Sequence, residues 1–108
     1  MTKNSPTVPP LAGLSPTHPG EILRETVLPA LDRSKTEFAA ALGISRRTLY
    51  DILDEKQGVT AKVALRLGRV LGNGAEIWMN LQAQHDLAKA RQDIGAEVAQ
   101  LPSWAEAS

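Results

Sequence analysis

The chain has 108 residues, a mass of 11.6 kDa, 43% hydrophobic residues, no cysteine and a formal net charge of zero. A chain of this length suits one small domain, and the lack of cysteine excludes a disulfide framework, cysteine-ligated zinc and a cysteine nucleophile. Since it also has only two histidines and no apolar run of membrane-spanning or signal-peptide length, we expect a cytoplasmic binding module that is not an enzyme and holds no metal or cofactor.

Prolines and helical periodicity divide the chain into an arm and a domain. Residues 1–16 contain four of the seven prolines, which predicts a flexible N-terminal arm. The apolar residues that follow recur at helical spacing without strand-like alternation, so residues 17–91 are predicted to form an all-α domain of five helices. The first helix is expected to begin at about Pro19 and to be stopped or kinked at Pro29.

Capping residues predict where the second and third helices begin. Ser34 followed by Glu37 has the spacing of a capping box, so a second helix is predicted from Lys35 to Leu42. Ser45 is a further N-cap candidate. It predicts a third helix over residues 46–54.

The same reasoning predicts the fourth and fifth helices. Thr60 is expected to cap a fourth helix that closes at Gly72. Asn73 with Glu76 repeats the capping-box spacing, so the fifth helix is predicted to begin there and to end at about Arg91.

The segment from residue 35 to residue 53 has the pattern of a helix-turn-helix. Ala39 lies four residues before Gly43, Ile44 follows as the buried anchor of the turn, and Leu49 and Ile52 come six and nine residues after Gly43. A small residue at the helix contact, a turn residue free to take positive φ and inward apolar residues at fixed offsets are what this motif needs. The third helix of the chain is therefore predicted to be a recognition helix that can enter a major groove.

The local charge supports this interpretation, because residues 33–69 carry eight Lys and Arg against four Asp and Glu. One of Arg46 and Arg47 is expected to contact a guanine and the other a phosphate, and the residues leave open which does which. The alternative is a solvated helix face on which Asp51 neutralises Arg47. The residues predicted to contact bases are Ser45, Arg46, Arg47, Tyr50 and Asp51. Those predicted to contact phosphates are Lys35, Thr36, Thr48, Lys56, Thr60 and Lys62.

An ordered series of motifs runs through residues 18–91. Its members are HPGEIL, KTEFAAALGISRRTLYDIL, EKQGVT, ALRLGRVLG, GAEIWMNLQ and DLAKA. This series resembles the HigA-type antitoxins of bacterial toxin–antitoxin modules, within the phage-repressor-like (Xre/Cro) helix-turn-helix superfamily. The resemblance implies a five-helix DNA-binding domain that dimerises and represses its own promoter by binding an inverted repeat. It also implies neutralisation of a HigB toxin, an mRNA-cleaving ribonuclease of the RelE-like class.

The resemblance also directs attention to the fifth helix and to the tail, residues 92–108, in which a short helix is expected around residues 96–101. In the family these parts supply much of the two-fold interface, with the helix residues at the dimer contact or in the core. The residues expected to take part are Trp78, Leu81, Ile94, Val98, Leu101 and Trp104. A dimer would read half-sites of a palindromic operator about 34 Å apart.

The toxin-binding surface is left open between the arm and the acidic C-terminal third. In some members of the family a leading segment folds onto the toxin, and here Val8, Leu11 and Leu14 could anchor it. Two other functions stay open: a transcription regulator of the same type without a toxin, and an adaptor of the same fold that does not bind DNA. His18 is interpreted as a cap of the first helix, and His85 as a half-buried helix residue.

Overall fold

A computed structural model describes residues 17–105. Its helices are α1 (residues 19–31), α2 (Lys35–Leu42), α3 (Arg46–Leu53), α4 (Ala61–Leu71) and α5 (Ala75–Ala99). Residues 17–105 contain no strand, and the predicted all-α fold of five helices is confirmed. No helix in this part of the chain is long and apolar enough to cross a membrane. The expectations for the arm, residues 1–16, lie outside the described residues.

Helix α1 continues through Pro29, which the sequence had marked as a stop or a kink. The helix runs as Pro19–Ile22, then one wider π-helical segment, Leu23–Val27, then Leu28–Leu31. In the wider segment the Leu28 N–H donates to the Leu23 carbonyl. Pro29 then stands in the first turn of the last segment, where its missing N–H is tolerated. The helix ends at Asp32, whose φ is 54°.

Three of the predicted N-caps are confirmed. Ser34 and Glu37 form the capping box, with both hydrogen bonds at 3.0 Å. The Ser45 hydroxyl accepts from the Thr48 N–H at 3.0 Å. The Thr60 hydroxyl accepts from the backbone N–H three residues later at 3.3 Å. Each bond satisfies one otherwise unpaired donor of a helix start.

The capping box predicted at the start of α5 is wrong. Gly74, with φ 82°, is the N-cap, and no side chain caps the helix. The Asn73 side chain instead accepts a hydrogen bond from the Trp78 indole N–H at 3.1 Å. Trp78 is 2% exposed, so it lies in the core and not at the dimer contact, the other place expected for it. Its indole N–H needs a partner there, and this requirement outweighs the local capping preference.

Helix α5 is longer than the sequence indicated. It was predicted to end at about Arg91, and the structure carries it to Ala99 across one non-helical residue, Ile94, at φ −130° and ψ 15°. The short helix expected over residues 96–101 is therefore the end of α5, which stops at Ala99.

The core lies where α1, α2, α3, α4 and the first half of α5 meet. Its largest fully buried side chains are Trp78, Leu23, Leu42, Leu49, Ile52, Leu53, Leu67 and Pro19. The second half of α5 contributes no buried residue to it. This core holds α3 against the domain by one face and leaves its other face in solvent.

Candidate nucleic-acid interface

The turn between α2 and α3 has the geometry that the sequence predicted. Gly43 closes α2 at φ 72°, and its N–H donates to the Ala40 carbonyl at 3.1 Å. The Ile44 N–H reaches back to the Ala39 carbonyl at 3.1 Å. Ala39 is 2% exposed at the contact between the helices. A left-handed residue at this point ends the helix and turns the chain, and glycine takes it without steric cost.

Arg66, on α4, holds this turn from outside. Its Nη1 donates to the Leu42 carbonyl at 2.8 Å and to the Gly43 carbonyl at 3.3 Å. A cation at these carbonyls complements the negative end of α2. A Cβ on Gly43 would lie 2.6 Å from the same Nη1, so any other residue here would require the guanidinium to shift. No local sequence pattern marks Arg66, because its partners lie more than twenty residues earlier in the chain.

The far end of α3 is fixed by Arg24 of α1. Its guanidinium donates to the Leu53 carbonyl, which belongs to the last turn of α3. It also forms ion pairs with Glu25 at 2.9 Å and with Glu55 at 3.4 Å. No local sequence pattern indicates this role, which again rests on a long-range contact. With the glycine turn at one end and Arg24 at the other, α3 is held at both ends.

The exposed face of α3 carries the two arginines at its first turn. Leu49, Ile52 and Leu53 are each no more than 2% exposed, which turns Arg46 and Arg47 to solvent. The Arg47 side chain is 87% exposed. Both guanidinium groups are therefore accessible to a large ligand.

The pairing of Arg47 with Asp51, which the alternative interpretation required, is present but weak. Arg47 Nε lies 3.4 Å from Asp51 Oδ2. An exposed pair four residues apart on a helix contributes only about 0.3–0.5 kcal/mol. That is less than the charged hydrogen bond to a phosphate that replaces it, roughly 1.5–3 kcal/mol. The pair therefore orients Arg47 without holding it away from an anion.

The side chains of Ser45 and Thr48 are hydrogen-bonded to each other. The Ser45 hydroxyl donates to Thr48 Oγ1 at 2.9 Å while accepting the Thr48 N–H. The Ser45 hydroxyl proton is thus already donated within the protein, whereas the Thr48 hydroxyl can still donate its proton to a ligand. A hydroxyl donor suits a phosphate oxygen. This is consistent with the role assigned to Thr48.

The remaining predicted contact residues lie on exposed surface around α3. Lys35 Nζ lies 5.5 Å from the centroid of the Tyr50 ring, so the structure brings together the first residue of α2 and the middle of α3. Thr36, Lys56, Thr60 and Lys62 are also exposed. Lys56 belongs to the loop after α3, and its N–H donates to the Asp51 carbonyl at 2.8 Å. Thr60 and Lys62 stand at the start of α4.

Fold and exposed face together define a helix-turn-helix protein of the Xre/Cro type. Its sequence is 45% identical over 76 residues to virulence-associated protein I of Dichelobacter nodosus, covering 70% of each chain. Antitoxin GraA is 41% identical with a TM-score of 0.78, over 84% of this chain and 99% of GraA. Antitoxin HigA of Pseudomonas aeruginosa, solved with the higBA promoter, is 41% identical with a TM-score of 0.76, over 81% and 96%. No family model matches the chain.

The chain belongs to the HigA family of antitoxins, as the motif series indicated. Proteins of this kind are antitoxins and transcription regulators and not enzymes. The HigA structure was solved with promoter DNA, and GraA has also been solved with its operator.

Proposed function

We propose that the chain binds double-stranded DNA through α3 and represses its own promoter as an antitoxin. The observation that carries the proposal is the first turn of α3, where two exposed arginines stand on a helix held at both ends. A rigid helix that offers its N-terminal residues to base edges is how this motif reads a major groove. The similar HigA was solved with promoter DNA, which supports DNA binding by this chain.

The roles follow from the position and chemistry of each residue. Arg46 and Arg47 supply the guanidinium groups, one for guanine O6 and N7 and one for phosphate. Ser45, Tyr50 and Asp51 complete the base-facing set. The residues that bind phosphate are Lys35, Thr36, Thr48, Lys56, Thr60 and Lys62.

The test is a salt titration of binding to promoter DNA and to a scrambled duplex of equal length. Binding that loses affinity with a log–log slope of about −0.9 per neutralised phosphate is expected. Arg46→Ala and Arg47→Ala should then differ: one relaxes sequence preference, and the other weakens binding to both duplexes equally. Wild-type affinity in both variants would contradict the assignment of α3. No binding to either duplex at any salt concentration would instead indicate an adaptor of the same fold that does not bind DNA.

The proposed active form is a homodimer joined through the end of α5 and the tail. Ile94, Val98, Leu101 and Trp104 are 47%, 50%, 65% and 83% exposed. They lie beyond the core of their own chain, while Leu81 is partly buried against it. A run of apolar side chains at helical spacing is stabilised when a second copy covers it. Two α3 helices related by a dyad would read a palindromic operator with half-sites about 34 Å apart.

The proposed partner besides DNA is a HigB-type toxin. We divide the chain accordingly into an arm, residues 1–16, a DNA-binding domain, residues 17–91, and a dimerising tail, residues 92–108. Val8, Leu11 and Leu14, the candidates for toxin contact, lie outside the described residues. Co-expression with the product of the neighbouring gene, with and without residues 1–16, tests this division. A neighbour that does not co-purify with either form would indicate a regulator without a toxin.

A further inference from the structure

Gln82 is a buried amide that joins α5 to the loop behind the recognition helix. It is 8% exposed, the lowest value after His18 among the polar side chains of residues 17–105. Its Oε1 accepts the Val59 N–H at 2.7 Å, and its Nε2 donates to Asp86 Oδ1 at 2.9 Å. Neither bond is needed to form α5, since both use the side chain.

The loop is shaped to receive this amide. A Cβ on Gly58 would lie 2.7 Å from Gln82 Cδ and 2.8 Å from Oε1, so only glycine allows the side chain to approach the backbone here. The neighbouring Val59 is 3% exposed and packs into the core. The loop is therefore held by an apolar side chain and by a buried hydrogen bond at one residue.

What this anchor fixes is the start of α4 and the loop before it. Lys56 precedes Val59 by three residues, and Thr60 follows it directly as the N-cap of α4. Both stand among the residues proposed to bind phosphate. The free N–H groups of a helix start bind a phosphate only when the helix start is held at the correct distance from the DNA backbone.

We propose that Gln82 is a positioning residue for DNA binding, which sets the phosphate-contacting loop relative to α3 without touching DNA. This inference rests on the proposed function. The simpler alternative is that Gln82 only satisfies a buried N–H and contributes to stability. The two differ in what happens to a variant that is still folded.

The test substitution is Gln82→Met, which keeps the length of the side chain and removes both hydrogen bonds. The matched control is Asn73→Ala, which removes the side-chain bond to Trp78. Asn73 follows the C-terminal end of α4, about 16 Å along the helix from Thr60. Both variants are expected to lose stability, and both are studied at a temperature where they remain folded.

Under the proposal, Gln82→Met weakens promoter binding roughly tenfold, as one lost charged hydrogen bond does. It also lowers the magnitude of the salt slope by about one, as one lost phosphate contact does. Asn73→Ala leaves the affinity within about twofold of wild type and the salt slope unchanged. The double variant Gln82→Glu with Asp86→Asn keeps the net charge. Its new carboxylate at position 82 can accept the Val59 N–H and also a hydrogen bond from the side-chain amide introduced at position 86. This double variant should recover the wild-type salt slope. Equal slopes for Gln82→Met and wild type would overturn the proposal.

Amide hydrogen exchange provides a readout that does not depend on DNA. The amides of Val59, Val63 and Ala64, which are hydrogen-bonded in wild type, should exchange faster in Gln82→Met, whereas those of α3 should not change. If wild type binds no DNA, the proposed function fails by itself, and exchange still decides whether Gln82 holds the loop. Unchanged exchange at Val59, Val63 and Ala64 would mean that it does not.

Discussion

The rings of His18 and His85 meet edge to face, with centroids 4.8 Å apart and planes at 81°. His18 caps α1, as the sequence indicated: its Nδ1 accepts the Gly20 N–H at 2.9 Å. The contact ties the start of α1 to the middle of α5. Burial lowers the pKa of His18 and the charge of His85 lowers it further, while Glu55 and Asp86 act in the opposite direction.

The first prediction follows from this lowered pKa. The unfolded chain binds a proton at His18 near pH 6.5, whereas the folded chain does so only at lower pH. The cap therefore contributes its full stability above pH 6.5 and loses it as the pH falls through the lowered pKa. His18→Asn keeps an N-cap acceptor that does not titrate. Denaturant unfolding from pH 7 to pH 5 should show a shallower decline for this variant, and parallel curves would contradict the prediction.

The second prediction concerns the carbonyls at the end of α2. Arg66→Met should destabilise the protein by about 1 kcal/mol, since it leaves the Leu42 and Gly43 carbonyls without their cationic donor. Arg69→Met, on the exposed surface of the same helix, is the control and should change the free energy of unfolding by less than about 0.5 kcal/mol. Chemical denaturation measures both. Equal losses would mean that the hydrogen bonds of Arg66 to the two carbonyls do not account for its effect on stability.

The third prediction uses the pair of Arg47 and Asp51. Asp51→Asn removes an acidic group from the face proposed to meet DNA and releases Arg47. Affinity for a scrambled duplex should rise severalfold, and the difference between promoter and scrambled duplex should narrow. Asp54→Asn, at the C-terminal end of the same helix, is expected to change both less. An affinity that falls for both duplexes would show that Asp51 is needed to hold Arg47 in place.

The fourth prediction addresses self-association. Val98→Asp places a charge in the exposed apolar run at the end of α5 and should convert a dimer to a monomer in analytical ultracentrifugation. Ala96→Asp introduces the same charge about 200° around the helix and should leave the dimer intact. Promoter affinity should fall with the first variant only. Dissociation by both variants would indicate a general charge effect.

The sequence predicted the parts of the structure that depend on neighbouring residues. Ser34, Ser45 and Thr60 cap helices because their hydroxyls reach N–H groups three residues ahead. Gly43 turns the chain because of its own backbone freedom. These features place α3 and its exposed arginines. Contacts between neighbouring residues therefore determine where most of the candidate interface residues lie.

The features that the sequence did not reveal depend on partners far along the chain. Asn73 has the spacing of a cap, but the indole of Trp78 takes its side chain. Gln82 and Arg66 bond to backbone groups 23 and 24 residues away, and no periodicity marks such pairs. The predicted end of α5 failed for a different reason. Residues 92–99 continue the helix although none of them is buried in their own core.

The non-helical residue Ile94 divides α5 into two helical segments. The first segment belongs to the domain, and the second segment carries the exposed apolar run. If two copies associate through the second segments of their α5 helices, the φ and ψ of Ile94 determine the angle between each domain and the dimer interface. That angle then determines the distance between the two α3 helices, and therefore the spacing of the two half-sites on the DNA.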